Sequence, residues 1–295
     1  MDALQLAKKL NMPEEDIREL AKARNSSPAI SKALLHSLAS DDLATSVDTW
    51  HRLQKLVTPD EQGFRMLDAM LECAATESLE KYRQRGIPEN IFFDTMGCFN
   101  RFTREHKASY GTYGFDRDFW TYRQLSLKLF RLGMLEFEYV EGENMPEYVR
   151  NARNADTAND DADEAKIKAI NIHIPSDANI RDQYCDDSFR QIRAFTAQHF
   201  PDWNHATFVC SSWLLSPTLN KLLAPTSHII RFQNRFRIVD TDPDAPDWRE
   251  WVFQRCPADI ADLPQRTSLQ RNMKRYLLQG GKVGIGIGVI ADPAR

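Results

Sequence analysis

Long apolar runs are missing from this sequence. None approaches the roughly 20 residues that a membrane-spanning helix needs, so no membrane partner is expected. The start, Met1-Asp2-Ala3-Leu4-Gln5-Leu6, lacks a basic stretch followed by an apolar core, and no signal peptide is expected. Cysteine is scarce and odd in number: five residues, at 73, 98, 185, 210 and 256, with no CxxC pair. This argues against a disulfide framework and against a zinc site, and points to a reduced, cytoplasmic protein without a metal. Zinc-finger, RNP-type and recognition-helix signatures are all absent, so no nucleic-acid partner is expected.

What is present is ordinary for a globular chain of 295 residues: 42% hydrophobic and 27% charged, enough for one large or two modest domains. The net charge of -4 is unevenly spread. Residues 1–150 hold 20 basic against 24 acidic side chains, a net of -4. Residues 151–165 set Arg153 against Asp156, Asp160, Asp161, Asp163 and Glu164, again -4. Residues 166–295 hold 17 basic against 13 acidic side chains, a net of +4. An anionic ligand is therefore compatible with the last part despite the overall sign.

The first part reads as helix throughout. Met12-Pro13-Glu14-Glu15 opens one helix, Ser26-Ser27-Pro28 another, and Ser40-Asp41-Asp42 a third. Thr58-Pro59-Asp60-Glu61 reads as a capping box ahead of Phe64, Leu67 and Leu71. Past Gly111-Thr112-Tyr113-Gly114 the pattern changes. Phe130 to Val140 alternates with period two, with Gly133 as a turn or bulge. Residues 151–165 carry too little apolar bulk for a core and read as a mobile acidic surface loop. Lys168–Pro175 reads as a strand with Ile170, Ile172 and Ile174 on one face; Arg181–Phe200 reads as helix and Ala206–Ser211 as strand. A short helix after Ser216-Pro217, a strand at Phe236–Asp240, helices at 248–253 and 268–278 and a strand at 282–290 follow. Gly284, Gly286 and Gly288 put glycine on one face of the last strand, where another element can approach closely.

The order helix, three strands, helix, strand, helix, strand, helix, strand resembles the core of the GNAT (GCN5-related N-acetyltransferase) fold. Three segments sharpen this: Phe130-Arg131-Leu132-Gly133-Met134-Leu135-Glu136-Phe137-Glu138, Asn171-Ile172-His173-Ile174-Pro175 and Cys210-Ser211-Ser212-Trp213-Leu214-Leu215. They resemble a bacterial acyltransferase family that pairs a helical N-terminal acyltransferase domain with a GNAT-like C-terminal domain. The resemblance covers nearly the whole chain. It implies an α+β protein: a helical N-terminal domain at 1–115, then a GNAT-like mixed α/β domain at 116–295 with a central, mostly antiparallel sheet. It also implies acyl-CoA as co-substrate and a small-molecule acceptor.

One feature departs from active GNAT enzymes, whose central strand runs into a glycine-rich loop that holds the CoA pyrophosphate at a helix N-terminus. The corresponding stretch here, His173 to Asp182, has no glycine and carries Asp177 and Asp182. Ser176, Asn179 and Arg181 remain as candidate cofactor-binding donors.

Within the resemblance, the end of the central strand faces the reaction centre. His173 is then the candidate general base, its pKa being near neutrality; a buried structural histidine is the bland alternative. Cys210 is a candidate nucleophile paired with His173, or a small core residue. Ser212 is a candidate hydroxyl that orients substrate. Arg131, Asn171 and Trp213 are candidate substrate contacts: Arg131 needs a carboxylate, a ligand's or that of Glu136, and Trp213 lines a pocket or the core. Arg231, Arg235 and Arg237 form either an anion site or a solvated face neutralised by Asp240, Asp242, Asp244 and Asp247. Two functions follow: acyl transfer from a thioester to an amine-type acceptor, or a catalytically idle GNAT-like module for ligand sensing or protein interaction.

Overall fold

The computed structural model describes residues 1–26, 30–142, 145–156, 167–254 and 257–290. The chain divides into two compact units, Met1–Leu132 and Gly133–Arg295. The division falls later than the expected 115/116, because the helix at 118–125 packs against helices of the first unit.

The first unit holds α1 (Ala3–Lys9), α2 (Glu14–Ser26), α3 (Lys32–Leu38), α4 (Leu43–Val57), α5 (Phe64–Cys73), α6 (Leu79–Gln84), α7 (Glu89–Met96), α8 (Cys98–Tyr110), α9 (Asp118–Leu125) and the strand β1 (Leu129–Leu132). A π-helical turn, Ala74–Ser78, joins α5 to α6. Asp42 caps α4 as expected, its carboxylate accepting from the N–H groups of Ala44 and Thr45. Two expected starts shift. Ser31, rather than Ser26 or Ser27, caps α3. At α5 the Thr58 hydroxyl turns back onto the Gln54 carbonyl, so the expected box does not form. Asp60 instead accepts from the N–H groups of Arg65 and Met66, while Gly63, at φ +73°, sits at the cap. Either way an acid satisfies donors of the first turn.

The second unit holds β2 (Leu135–Glu141), α10 (Glu147–Asp156), β3 (Lys168–His173), α11 (Asp182–His199), β4 (Thr207–Ser212), α12 (Leu219–Leu222), α13 (His228–Gln233), β5 (Arg237–Asp242), α14 (Trp248–Phe253), α15 (Ser268–Leu278) and β6 (Ile285–Ile290). The strands of the second unit form one sheet in the order β2-β3-β4-β6-β5. β2/β3, β4/β6 and β6/β5 run antiparallel and β3/β4 parallel, so the sheet is mostly antiparallel. No helix among the described residues is long and apolar enough to cross a membrane.

Residues 151–156, expected in a mobile loop, are the second half of α10. Met145, Val149 and Ala152 are spaced to lie on one side and are buried against Val140, Ala169, Val209 and Val289 of the sheet. Residues 157–165 of that expected loop lie outside the described residues. The opposite face meets α11, where the rings of Phe137, Phe189 and Phe208 pack edge to face. The Tyr139 hydroxyl shares a 2.7 Å hydrogen bond with Thr196 on the same side.

The close approach expected at the glycines of β6 is present. A Cβ on Gly286 would stand 2.2 Å from the Leu215 carbonyl oxygen, and one on Gly288 would stand 2.8 Å from Phe236 Cβ. The Leu215 atoms are backbone and cannot swing aside. Gly286→Ala is therefore expected to destabilise the protein by roughly 2 kcal/mol, the usual cost of overpacking a tight core. A urea unfolding midpoint that falls accordingly would bear this out; an unchanged midpoint would refute the close packing.

Candidate active site

Two period-two strands bring four polar side chains together on the α10 face. In the β2/β3 ladder Glu136 lies opposite His173 and Glu138 opposite Asn171. Directly opposed residues share a face, so these four side chains stand with Val140 and Ala169, while Ile170 and Ile172 turn to the α11 side. His173 Nε2 is 2.8 Å from Glu138 Oε2. The Asn171 side-chain amide donates to Tyr148 Oη at 2.8 Å and to Glu138 Oε2 at 3.3 Å. The His173 and Glu138 side chains are 17% and 6% exposed, so their attraction is screened far less than that of a surface pair.

The position of this cluster follows from the topology. The parallel β3/β4 ladder ends at Asn171–Val209, before either strand ends. Ile172 and His173 on one side and Cys210 to Ser212 on the other lie beyond the last pair. His173 thus stands where the two strands part, which is where the sequence reading expected the reaction centre.

The other candidates are placed as follows. Cys210 is fully buried and alternates with Val209 onto the face opposite His173. Burial raises its thiol far above the ordinary range, which suppresses the nucleophilic thiolate. A Cys210–His173 nucleophile pair is therefore not formed, and Cys210 is a core residue. Cys210→Ala is expected to leave kcat and KM unchanged while lowering stability slightly; loss of turnover in a folded variant would overturn that placement. Ser212 also lies on the Cys210 face, and its hydroxyl accepts from the Leu214 N–H, capping the short 3-10 helix Trp213–Leu215. Ser211, which alternation puts on the His173 face, is the hydroxyl that sequence reasoning passed over. Trp213 packs against the apolar cluster formed by Leu219, Ile230, Trp248 and their neighbours.

Arg131 donates its backbone N–H to the Thr95 hydroxyl. Its charge acts on Asp94, whose carboxyl burial raises and Arg131 partly lowers again. Asp94 is a carboxylate the sequence reading had not weighed for Arg131. In the loop before α11, the Asn179 side-chain oxygen accepts from the Arg181 N–H. Arg181 is the exposed N-cap residue of that helix, and Ser176 is exposed in the preceding turn. The basic cluster finds partners far from those expected. Arg231 and Arg235 pair with Asp182, and Arg235 also with Asp186, rather than with the aspartates at 240–247. Lys274 of α15 has a structural role: it donates to the carbonyls of Ala261 and Leu263. Among the described residues no group of three or more His, Cys, Asp or Glu side chains is arranged to hold a metal.

Glu138 and Tyr148 are the members of the cluster that sequence reasoning missed. Glu138 carried a usable signal, since strand alternation put it in phase with Glu136. Its partner, 35 residues away, could not be read without the register.

Comparison with known proteins agrees with this architecture. Residues 1–127 match the pattern of the N-acyltransferase N-terminal domain and residues 129–290 that of the GNAT-like C-terminal domain. No curated protein matches the chain. Among solved structures, an acyltransferase in complex with decanoyl-CoA and teicoplanin shares the fold with a TM-score of 0.67 at 20% identity, over 98% of this chain and 99% of that one. An acyltransferase mutant in complex with octanoyl-CoA gives the same figures. A third, in complex with decanoyl-CoA, gives a TM-score of 0.66 at 20% identity over 99% of both chains. With its helical first unit, the mostly antiparallel sheet of its second unit and both domain patterns in order, the chain belongs to the family that joins an N-acyltransferase N-terminal domain to a GNAT-like C-terminal domain.

Proposed function

We propose that the protein transfers an acyl group from acyl-CoA to the amine of a small molecule, with His173 as general base. The observation that carries this reading is the position of the Glu138–His173 pair at the parting of β3 and β4. In the reaction the amine nitrogen attacks the thioester carbonyl and a C–N bond forms. His173 takes a proton from that nitrogen, and the C–S bond breaks with its electron pair leaving on sulfur. A neutral imidazole is a suitable acceptor for this proton near pH 7. The solved structures that share the fold hold decanoyl-CoA, octanoyl-CoA or CoA, and two also hold teicoplanin or 10C-teicoplanin, which supports a thioester donor and a small-molecule acceptor.

The phosphates of the donor need positive potential. The 18-residue helix α11 supplies a helix N-terminus. Asp182, which reads in the sequence as repulsive to phosphate, is countered by Arg231 and Arg235. Arg181 adds an exposed guanidinium at the same end, with Ser176 and Asn179 in the adjacent loop as further donors. We place the reaction in the reducing cytoplasm: Cys73, Cys98, Cys185 and Cys210 are buried and form no disulfide among the described residues. Cys256 lies outside the described residues.

Titration calorimetry with acetyl-CoA, octanoyl-CoA and decanoyl-CoA tests the donor. Saturable binding with one-to-one stoichiometry is expected. Absence of binding at millimolar ligand, in a folded sample, would rule out acyl-CoA as the donor.

A further inference from the structure

We propose that Glu138 and Asn171 hold His173 in the tautomer with its proton on Nε2, that Tyr148 anchors this arrangement from α10, and that Nδ1 is the atom that receives the proton of the acceptor amine. The inference rests on the acyl-transfer reading and names the reacting atom of that site.

The argument starts from what each group can do. A carboxylate accepts hydrogen bonds and does not donate. Glu138 Oε2 lies 2.8 Å from His173 Nε2, so Nε2 carries the hydrogen that bridges them. Asn171 Nδ2 also comes within 3.3 Å of His173 Nε2. Both are then donors, so that contact is no hydrogen bond and cannot reverse the tautomer. The two hydrogens of the Asn171 amide go elsewhere, one to Glu138 Oε2 and one to Tyr148 Oη. Turning the amide over would set its oxygen against the Glu138 carboxylate, which fixes its orientation. Glu138 Oε2 thus accepts from two donors and cannot swing away from the ring.

In a neutral imidazole with Nε2 protonated, the lone pair is on Nδ1. The amine proton moves to Nδ1 as the C–N bond forms, and the Nε2 proton stays on the ring. The imidazolium so formed faces a carboxylate at hydrogen-bond distance, a charge-assisted contact stronger than a neutral one. Glu138, Asn171 and Tyr148 are positioning residues in this scheme. They act through His173.

The test is histidine NMR on the full-length protein, in which the ring carbon and nitrogen shifts report the tautomer. The His173 signal is assigned by its absence in His173→Gln. In the wild type the neutral ring is expected in the Nε2–H form. Glu138→Leu is expected to mix the tautomers and to lower kcat at least tenfold with little change in KM for acyl-CoA. Glu138→Gln keeps an acceptor oxygen, so it is expected to restore the Nε2–H form while kcat stays below wild type for want of the charge. Tyr148→Phe, which keeps the ring packed against the apolar cluster under α10, is expected to loosen the tautomer preference and lower kcat several-fold. A wild-type ring in the Nδ1–H form, or a tautomer indifferent to Glu138→Leu and Glu138→Gln alike, would overturn the proposal. The tautomer is read without turnover, so a protein that binds no acyl-CoA and yet shows the Nε2–H form separates failure of the acyl-transfer reading from failure of this one.

Discussion

Replacing His173 by glutamine is expected to slow amine-dependent acyl transfer by about 10²- to 10⁴-fold, the range that a positioned general base contributes. Glutamine can still donate an N–H toward Glu138, so the buried carboxylate keeps a partner and the fold survives. It cannot take a proton at pH 7. The rate should therefore fall in kcat, and KM for acyl-CoA should change little, because in the proposed scheme His173 acts on the acceptor amine and does not hold the donor. His173→Ala should give a similar loss in kcat. It should also cost stability, because Glu138 then loses its 2.8 Å contact. Steady-state kinetics with an acyl-CoA and a primary amine would measure this. A His173→Gln variant with wild-type kcat would remove the histidine from the chemistry and leave Glu138 and Asn171 as a structural network.

The second large effect lies in the first unit and concerns stability. Asp16 of α2 is fully buried, and neither carboxylate oxygen has a well-formed hydrogen bond among the described residues. Burial is the dominant influence and raises its pKa to about 6, against partial offsets from Thr103, Arg104 and His106 of α8. Its place in the first turn of α2 is favourable for a negative charge, but not by enough to outweigh desolvation. The raised value means that the folded chain holds this proton more tightly than the unfolded chain does. The associated stability is complete below pH 3.8, the unfolded value, and is lost as pH rises through about 6. Asn removes the charge at nearly constant shape. Asp16→Asn is therefore expected to be more stable than wild type at pH 7.5 by roughly 2–3 kcal/mol, at about 1.4 kcal/mol per pH unit of displacement. The advantage should shrink to near zero at pH 4. Urea unfolding of both proteins at the two pH values measures the difference. Other carboxylates, such as Asp41, affect both proteins equally and cancel. A variant less stable than wild type at pH 7.5 would mean that the Asp16 carboxylate is held by the fold as an anion.

Much of the second unit was legible because its strands obey period two. Ile170 and Ile172 against Asn171 and His173 announce both the strand and its two faces, and the glycines of β6 announce the close approach of the Leu215 backbone. The parting of β3 and β4 is seen only in the ladder, which ends at Asn171–Val209. What was hidden depended on register and distance. Glu138 meets His173 only because antiparallel pairing brings position 138 opposite 171. Arg235 finds Asp182 and Asp186, 53 and 49 residues earlier, while chain proximity pointed to the aspartates after 240. The helix α10 was masked by its own composition. Met145, Val149 and Ala152 are single apolar residues among polar ones, and an acidic stretch follows them. Ser212 shows a further limit: a hydroxyl at a strand end reads equally as a substrate contact and as a cap, and here it caps.

The central claim is that the Glu138–His173 pair drives transfer of an acyl group from CoA to an amine. Its most direct test is the release of CoA thiol from decanoyl-CoA, followed with and without a panel of primary amines, for wild type and His173→Gln. The account predicts thiol release that depends on the amine, is matched by amide formed in equal amount, and falls at least a hundredfold in the variant. Release that ignores the amine, or that proceeds equally in the variant, would contradict it.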